Sequence, residues 1–458
     1  MREEYSDLME RPMRKLFLVY CFFCLTIAAS SALERQANAD YHARREALAK
    51  KAGGVVVLFA PMESSTGDAI YGFRQEDNFF YLSGLTEPGA AVLIAAAAEA
   101  QGNAPARPYS ETLFLPTRNL IQEKWTGPKL GPENPDAPKI TGFDHVEEMG
   151  KLPAEVTKVL TGAHPAIYTD IASHGETSAS VAPLEFMKRT NSFLEFQDVK
   201  PMLSSLRTDK DAGEMALLRK AVDASVAAHF AAFKAVKPNV TERETSALMQ
   251  YEWGKRGCER PAYAPIVGSG FYSTVLHYSD DSKTMKAGDV VVIDAAGEYS
   301  MYAADITRTL PVNGHFSARQ REIYDIVLGA QQAAVAAFQS GKSNLRRNDP
   351  DSLFKVAYEY INTHGKDLHG EPLGKYFIHG LGHYIGLNVH DPGDYNVPLG
   401  PGVVFTIEPG IYIPEENLGA RIEDDFYVDQ NGKLINLSGA LPSRAEDVER
   451  AMARSSGQ

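Results

Sequence analysis

The sequence predicts a smaller α/β domain over residues 33–205, followed by a larger α+β domain over residues 206–458. Three observations predict this. The chain has 458 residues, enough for two or three domains at roughly 100–200 residues each. After the N-terminal leader and up to about residue 200, short apolar runs alternate with helical patterns, as in an α/β fold. From Leu206 onward the order becomes helices, strands, helices, strands, which gives an α+β domain with some internal two-fold pattern.

The leader comes first. Residues 13–32, "MRKLFLVYCFFCLTIAASSA", have a basic start at Arg14 and Lys15, an apolar run to Ala29 and then small residues. This is the pattern of a secretory signal peptide over residues 1–32, with cleavage after Ala32. The charged stretch "MREEYSDLMERP" before it is foreign to such leaders, which makes Met13 a candidate true start. An apolar run of about 14 residues is short of the roughly 20 that a spanning helix needs. The expectation is export to the periplasm or exterior, with no stable membrane insertion after cleavage; an uncleaved anchor is the alternative. Of the three cysteines, Cys21 and Cys24 lie in the leader, so the mature chain keeps Cys258 alone and has no internal disulfide. Its context "KRGCERP" offers no neighbouring base, which makes it a poor nucleophile candidate.

Past the leader, "ERQANADYHARREALAKKAG" reads as an amphipathic helix ending at Gly53. Residues 55–60, 90–98 and 111–116 read as strands, and "HVEEMGKLPAEVTKVL" as a helix. Residues 206–236 form one long helical pattern that opens the second domain. Thr241 and Glu244 make a capping box for the helix after it. Strand signals dominate from about 261, broken by helical patterns at 317–338 and around "DSLFKVAYEYINTHG". Hydrophobic residues at 44% and charged residues at 23% are ordinary for a soluble enzyme. A net charge of −13 without any basic run argues against a general phosphate-binding surface, and so against nucleic acid as a partner.

The chemistry concentrates in the second domain. "HGLGHYIGLNVHD" (379–391) places His379, His383 and His390, of twelve histidines in the chain, within a dozen residues. It is not the helical His-Glu-x-x-His pattern, because Gly380 follows the first histidine and Gly380 and Gly382 disfavour a helix. From Tyr384 it alternates, and so reads as a strand with His390 on its polar face. Upstream, "GDVVVIDAAGEYSMYAADITRTLPV" has a buried strand ending on Asp294 and a second strand carrying Asp305; a hairpin would set the two side by side. Two carboxylates sharing a core repel one another and are costly to desolvate, and a cation relieves both problems. Exposed turn aspartates are the alternative. Downstream, an apolar strand ends on Glu408, and in "ARIEDDFYV" Arg421, Glu423 and Asp425 share one face. Asp294, Asp305, His383, Glu408 and Glu423 together offer four carboxylates and one imidazole. Such a set can bridge two divalent ions. Its oxygen-rich character suits Mn²⁺, with Zn²⁺ or Co²⁺ as alternatives.

The set "DAAGEYSMYAADITRT", "HGLGHYIGLNVHD", "IEPGIY" and "GARIEDD" resembles the prolidase and aminopeptidase P metallopeptidases, over about residues 206–445. "FRQEDNFFYLSGLTEPGAAVLI" (73–94) resembles the N-terminal domain of aminopeptidase P. The resemblance implies a pita-bread catalytic domain behind an α/β N-terminal domain. It implies a bidentate ligand in Asp294, bridging carboxylates in Asp305 and Glu423, and ligands of the other metal in His383 and Glu408. It places His277 beside the substrate, His379 and His390 against substrate and tetrahedral intermediate, and Tyr412 and Arg421 near the pocket on the proline side. The implied reaction is removal of the N-terminal residue from peptides with proline second, by a hydroxide held between two cations, with Glu408 shuttling protons. Peptides beginning Xaa-Pro are the implied partners, and a homo-oligomer the implied assembly. A prolidase restricted to Xaa-Pro dipeptides, a creatinase-like metal-free hydrolase and an inactive binding scaffold are the alternatives.

Overall fold

The computed structural model describes residues 33–63, 71–100, 106–160, 166–171, 181–190 and 194–453. The leader over 1–32 lies outside the described residues. The chain enters through helix α1 (Asn38–Ala52), which Gly53 ends in the left-handed conformation at φ 61°, as the sequence predicts. Six strands follow: β1 (Val55–Phe59), β2 (Ala91–Ala95), β3 (Ser110–Leu115), β4 (His145–Glu148), β5 (Ala166–Thr169) and β6 (Glu195–Asp198). They form one sheet in the order β4-β3-β2-β1-β5-β6. The sheet is mixed: β1, β2 and β3 are antiparallel neighbours, and the outer pairs are parallel. Short helix α2 (Asp77–Ser83) lies between β1 and β2 in the chain.

Two helical expectations need correction. The stretch beginning at His145 is not all helix; residues 145–148 pair with β3, and helix α3 covers only Leu152–Val159. Pro153 explains the boundary, because proline suits the first turn of a helix and not its interior. The long pattern at 206–236 is two helices, α4 (Lys200–Thr208) and α5 (Ala212–Ala235). Between them, Asp209 bridges to Val403 and the Lys210 N–H donates to the Gly402 carbonyl at 2.8 Å. Asp211 then starts α5 with a capping box to Glu214.

In the second domain, helix α6 (Glu242–Gly254) begins with the predicted Thr241–Glu244 capping box. Replacing Thr241 with alanine is expected to cost about 1 kcal/mol, read as a lower denaturation midpoint. Strands β7 (Arg260–Pro261), β8 (Ile266–Ser269), β9 (Val290–Asp294), β10 (Gly297–Tyr299), β11 (Tyr302–Ala303) and β12 (Thr307–Pro311) come next. Helices α7 (Ala318–Ala337) and α8 (Leu353–His364) separate them from β13 (Val404–Ile407), β14 (Gly410–Ile413), β15 (Leu418–Arg421), β16 (Asp424–Val428) and β17 (Leu434–Asn436). The order is helix pair, strands, helix pair, strands. Small sheets β12-β9-β8, β13-β16-β17 and β14-β15 share one apolar core with these helices, including Val291, Ile293, Leu310, Phe405, Ile407, Ile411, Ile422 and Phe426. Among the described residues no helix is long and apolar enough to cross a membrane. Cys258 is buried, and burial pushes its thiol up to about 12, which removes it from nucleophilic chemistry near neutral pH.

Candidate metal centre and cavity

Asp294 ends β9 as the sequence predicts, but the chain does not turn directly back from it. It first makes the β10–β11 hairpin, whose tip holds Ser300 and Met301 at positive φ, and pairs β10 with β7. It then returns as β12 beside β9, with Thr307, not Asp305, opposite Asp294. Asp305 lies in the break between β11 and β12. The break frees its backbone N–H from any strand partner, and Asp425 Oδ2 accepts it at 3.1 Å. Glu423 sits between β15 and β16, bridged to Thr307. Glu408 follows β13 directly, where Pro409 removes the next ladder donor.

The histidine stretch is not the strand predicted. Residues 381–385 run along β13, with Tyr384 bridged to Phe405, the Thr406 N–H donating to the His383 carbonyl at 2.9 Å and the Ile385 N–H to the Val404 carbonyl at 3.2 Å. From Gly386 the chain curls around buried Asp391, whose N–H donates to the Tyr384 carbonyl at 2.9 Å. The glycines explain this path. A Cβ on Gly382 would lie 1.9 Å from the Thr406 carbonyl oxygen, so only glycine lets the chain pass β13 so closely. Ile385 and Leu387 are buried, as the alternation requires, while Val389 is only partly so. His277 stands exposed on a turn after a short 3₁₀ segment.

One cavity of about 550 Å³ gathers His277, Asp294, Asp305, His379, His383, His390, Glu408, Arg421 and Glu423. Tyr412 stands behind it, its hydroxyl 2.8 Å from His379 Nε2 and accepting from Arg421 Nη1 at 2.9 Å. Asp294 accepts from Arg421 Nη2 at 2.6 Å and from the Tyr263 hydroxyl at 2.6 Å. Thr307 donates to Glu423 Oε2 at 2.6 Å. His383 Nδ1 lies 3.0 Å from the Tyr384 carbonyl, which fixes a proton there and aims Nε2 at Asp305 Oδ2, 3.3 Å away, and Glu408 Oε1, 3.5 Å away. Thr406 donates to Glu408 Oε1 at 3.3 Å and accepts the His383 N–H at 3.1 Å. The His390 ring meets that of His383 edge-on at 4.2 Å.

The donor set fits a cation. Ligand atoms of Asp305, His383 and Glu423 lie within 4.8 Å of one another. Asp305 Oδ1 and Asp425 Oδ1 are buried without a hydrogen-bond partner. Burial pushes the Glu408 carboxyl up to about 7, aided by Asp305 against the pull of His383. Burial and Asp294 raise Asp305, while burial with Asp305 and Glu408 raises Glu423 well above the carboxylate range. His383, facing this negative charge, rises to about 9 despite burial. His379 goes the other way, down to about 3, through burial and the nearby Arg421. A divalent cation would replace the protons that these carboxylates otherwise retain.

This predicts a pH effect with a definite sign. Above pH 6.5 an unfolded His383 has lost its proton while the folded one keeps it to about 9, and Glu408 keeps its proton to about 7. The folded metal-free protein binds more protons than the unfolded chain in this window, so its stability falls as pH rises from 6.5 to 9. Melting temperatures of chelated protein should decline across that window, and saturating divalent metal should flatten the decline.

The sequence reading missed Tyr263, Thr307 and Thr406, which hold Asp294, Glu423 and the His383–Glu408 pair. Thr307 lies two residues after Asp305 and Thr406 two before Glu408, so period-two spacing was a usable signal. Nothing in "RPAYAPI" marks Tyr263.

Residues 216–430 match metallopeptidase family M24, and residues 41–168 match the aminopeptidase P N-terminal domain. The chain is 33% identical to the Xaa-Pro aminopeptidase of Haemophilus influenzae, over 87% of this chain and 93% of that protein. It is 31% identical to human Xaa-Pro aminopeptidase 3, over 88% of this chain and 81% of that protein. The solved structure of proline aminopeptidase P II from Yersinia pestis aligns with a TM-score of 0.79 and 30% identity, covering 91% of this chain and 99% of that one. A zinc-substituted aminopeptidase P from Escherichia coli in complex with product aligns with a TM-score of 0.78, 29% identity, and 92% and 99% coverage.

Proposed function

The chain belongs to the aminopeptidase P group of metallopeptidase family M24, pita-bread domain and N-terminal domain together, and from that premise we propose that it removes the N-terminal residue from peptides with proline in second position. The observation that carries this reading is the convergence of Asp294, Asp305, His383, Glu408 and Glu423 on one cavity. These residues would hold two divalent ions, and the predominance of carboxylates favours Mn²⁺. When bound, such ions supply Lewis acidity and a water acidic enough to act as nucleophile at neutral pH.

The chain's own side chains do the rest. Glu408 lines the cavity beside His383 and would pass a proton toward the leaving proline nitrogen. That nitrogen carries no N–H in the substrate, so a site for it needs no backbone acceptor there. His277 and His390, on opposite sides of the chain order, both face the cavity and can donate to the oxygen that becomes negative during attack. His379 stays neutral and, with Tyr412 and Arg421, forms the wall on the proline side. Arg421 also fixes Asp294 through its 2.6 Å contact. The names of the relatives favour this activity over that of an Xaa-Pro dipeptidase. The leader pattern at 13–32 supports export of the mature chain, and the assembly proposed is a homo-oligomer.

The test compares an Xaa-Pro-Xaa tripeptide with an Xaa-Pro dipeptide, using metal-stripped protein with and without Mn²⁺. Tripeptide turnover restored by Mn²⁺ is the expected result. Turnover of the dipeptide alone would make the protein a prolidase, and no turnover with any divalent ion would leave a binding scaffold.

A further inference from the structure

The loop bearing His383 and His390 is held from outside the cavity, and Asn388 is where the hold converges. Its side chain is exposed, yet each of its polar groups is engaged. Oδ1 accepts the His390 backbone N–H at 3.1 Å, and the Asn388 N–H donates to Asp391 Oδ1 at 3.0 Å. Its carbonyl accepts from Gly386 at 3.1 Å. Nδ2 donates to Asp77 Oδ2 at 3.3 Å, across 311 residues of sequence, and Asp77 opens helix α2 of the N-terminal domain. The same region grips the loop twice more. Arg74 Nη2 donates to the Leu387 carbonyl at 2.8 Å while its Nη1 holds Asp77 Oδ1 at 2.8 Å. Arg207 joins Asn78 Oδ1 at 2.7 Å to buried Asp391 Oδ1 at 2.6 Å, and Lys210 closes on Asp391 Oδ2 at 3.0 Å. Residues 387, 388 and 391 are thus fixed from outside. His390, between them, makes its backbone bond to Asn388 and its ring contact with His383.

We propose that Asn388 is a positioning residue that transmits docking of the N-terminal domain, through Asp77, to the imidazole of His390. The first domain then serves the reaction without touching the reacting atoms. The inference rests on the proposed peptidase activity for its kinetic readout alone.

The test is an exchange of partners in the full-length metal-loaded protein. Asn388→Asp keeps the acceptor for the His390 N–H but sets an anion against Asp77. Adding Asp77→Asn restores an amide–carboxylate pair with the roles reversed. N388D is expected to lower kcat for an Xaa-Pro-Xaa peptide about tenfold with KM within about twofold, and N388D/D77N to recover most of the loss. The His390 ring resonances, in protein with ¹³C-labelled histidine, should shift in N388D and return in the double variant. Wild-type kcat and unshifted His390 resonances in N388D would overturn the proposal. So would a double variant whose loss equals the sum of the N388D and D77N losses, since the two residues would then be uncoupled; the D77N single variant accounts for the Arg74–Asp77 pair that it also breaks. Should the wild-type protein cleave no Xaa-Pro peptide, the activity reading fails, while the resonances still decide the role of Asn388.

Discussion

Replacing Asp305 with asparagine should lower kcat/KM on an Xaa-Pro-Xaa peptide by at least about a thousandfold. Loss of a partner one step removed from a metal ligand commonly costs about 10–100-fold, and loss of a residue that would itself hold the metal should cost more. The variant is nearly isosteric, so the fold should survive. A second effect runs in the opposite direction. In metal-free protein the Asp305 carboxyl is buried against Asp294, with Oδ1 unpartnered. Burial and Asp294 make that carboxyl hold its proton to higher pH, whereas an amide is neutral at every pH, so chelated D305N should melt no lower than chelated wild type at neutral pH. Metal content and melting curves, with and without chelator, check both halves. A variant that keeps stoichiometric metal and full activity would remove Asp305 from the site.

The second large effect concerns stability. Arg308 is fully buried, and donates to Asp424 Oδ1 at 2.7 Å, the Glu423 carbonyl at 2.7 Å, the Thr307 carbonyl at 2.9 Å and the Pro442 carbonyl at 2.9 Å. It ties β12 to the segment carrying Glu423 from behind the cavity. Arg308→Ala leaves Asp424 as a buried charge facing only Ser438 and Gln331, and takes a donor from the Glu423 and Pro442 carbonyls, while the Thr307 carbonyl keeps the Glu423 N–H. Breaking such a pair costs about 3–5 kcal/mol. Denaturant titration of the full-length protein should show a loss of that size. Arg308→Met with Asp424→Asn should cost less than R308A alone, because no unpaired charge remains buried.

Much of this architecture was legible in the sequence, for reasons that differ by element. The caps at Gly53 and Thr241 were readable because local chemistry alone dictates them. Asp294 and Glu408 were found because each closes an apolar run, Asp305 and Glu423 because each falls in a strand pattern beside a buried run, and His383 because it stands in a histidine-rich stretch. Their common destination in one cavity is tertiary, and the resemblance supplied it. The strand expected at 384–390 failed because Tyr384 to Leu387 are buried in succession rather than alternately, and from Gly386 the chain winds around Asp391 instead of pairing on along β13. The helix expected across Asp209–Asp211 failed because pairing with residues 402–403 outweighs helical continuation there. Asn388 had no signal at all, since its partner Asp77 lies in another domain.

The carboxylates come from two separate stretches of chain. Asp294 and Asp305 precede helices α7 and α8, while His383, Glu408 and Glu423 follow them. Cations held by this set would therefore cross-link the two halves of the domain, closing a long loop between Asp305 and His383. Loop-closure entropy grows only slowly with length, so the span itself adds little to the cost of assembly. The ordering of events is what it changes. A nascent chain that has not yet emerged past Glu423 lacks part of the ligand set, so tight metal capture would mark the completion of folding rather than its beginning, and the metal would then oppose unfolding by an amount that grows with the logarithm of its concentration over its dissociation constant.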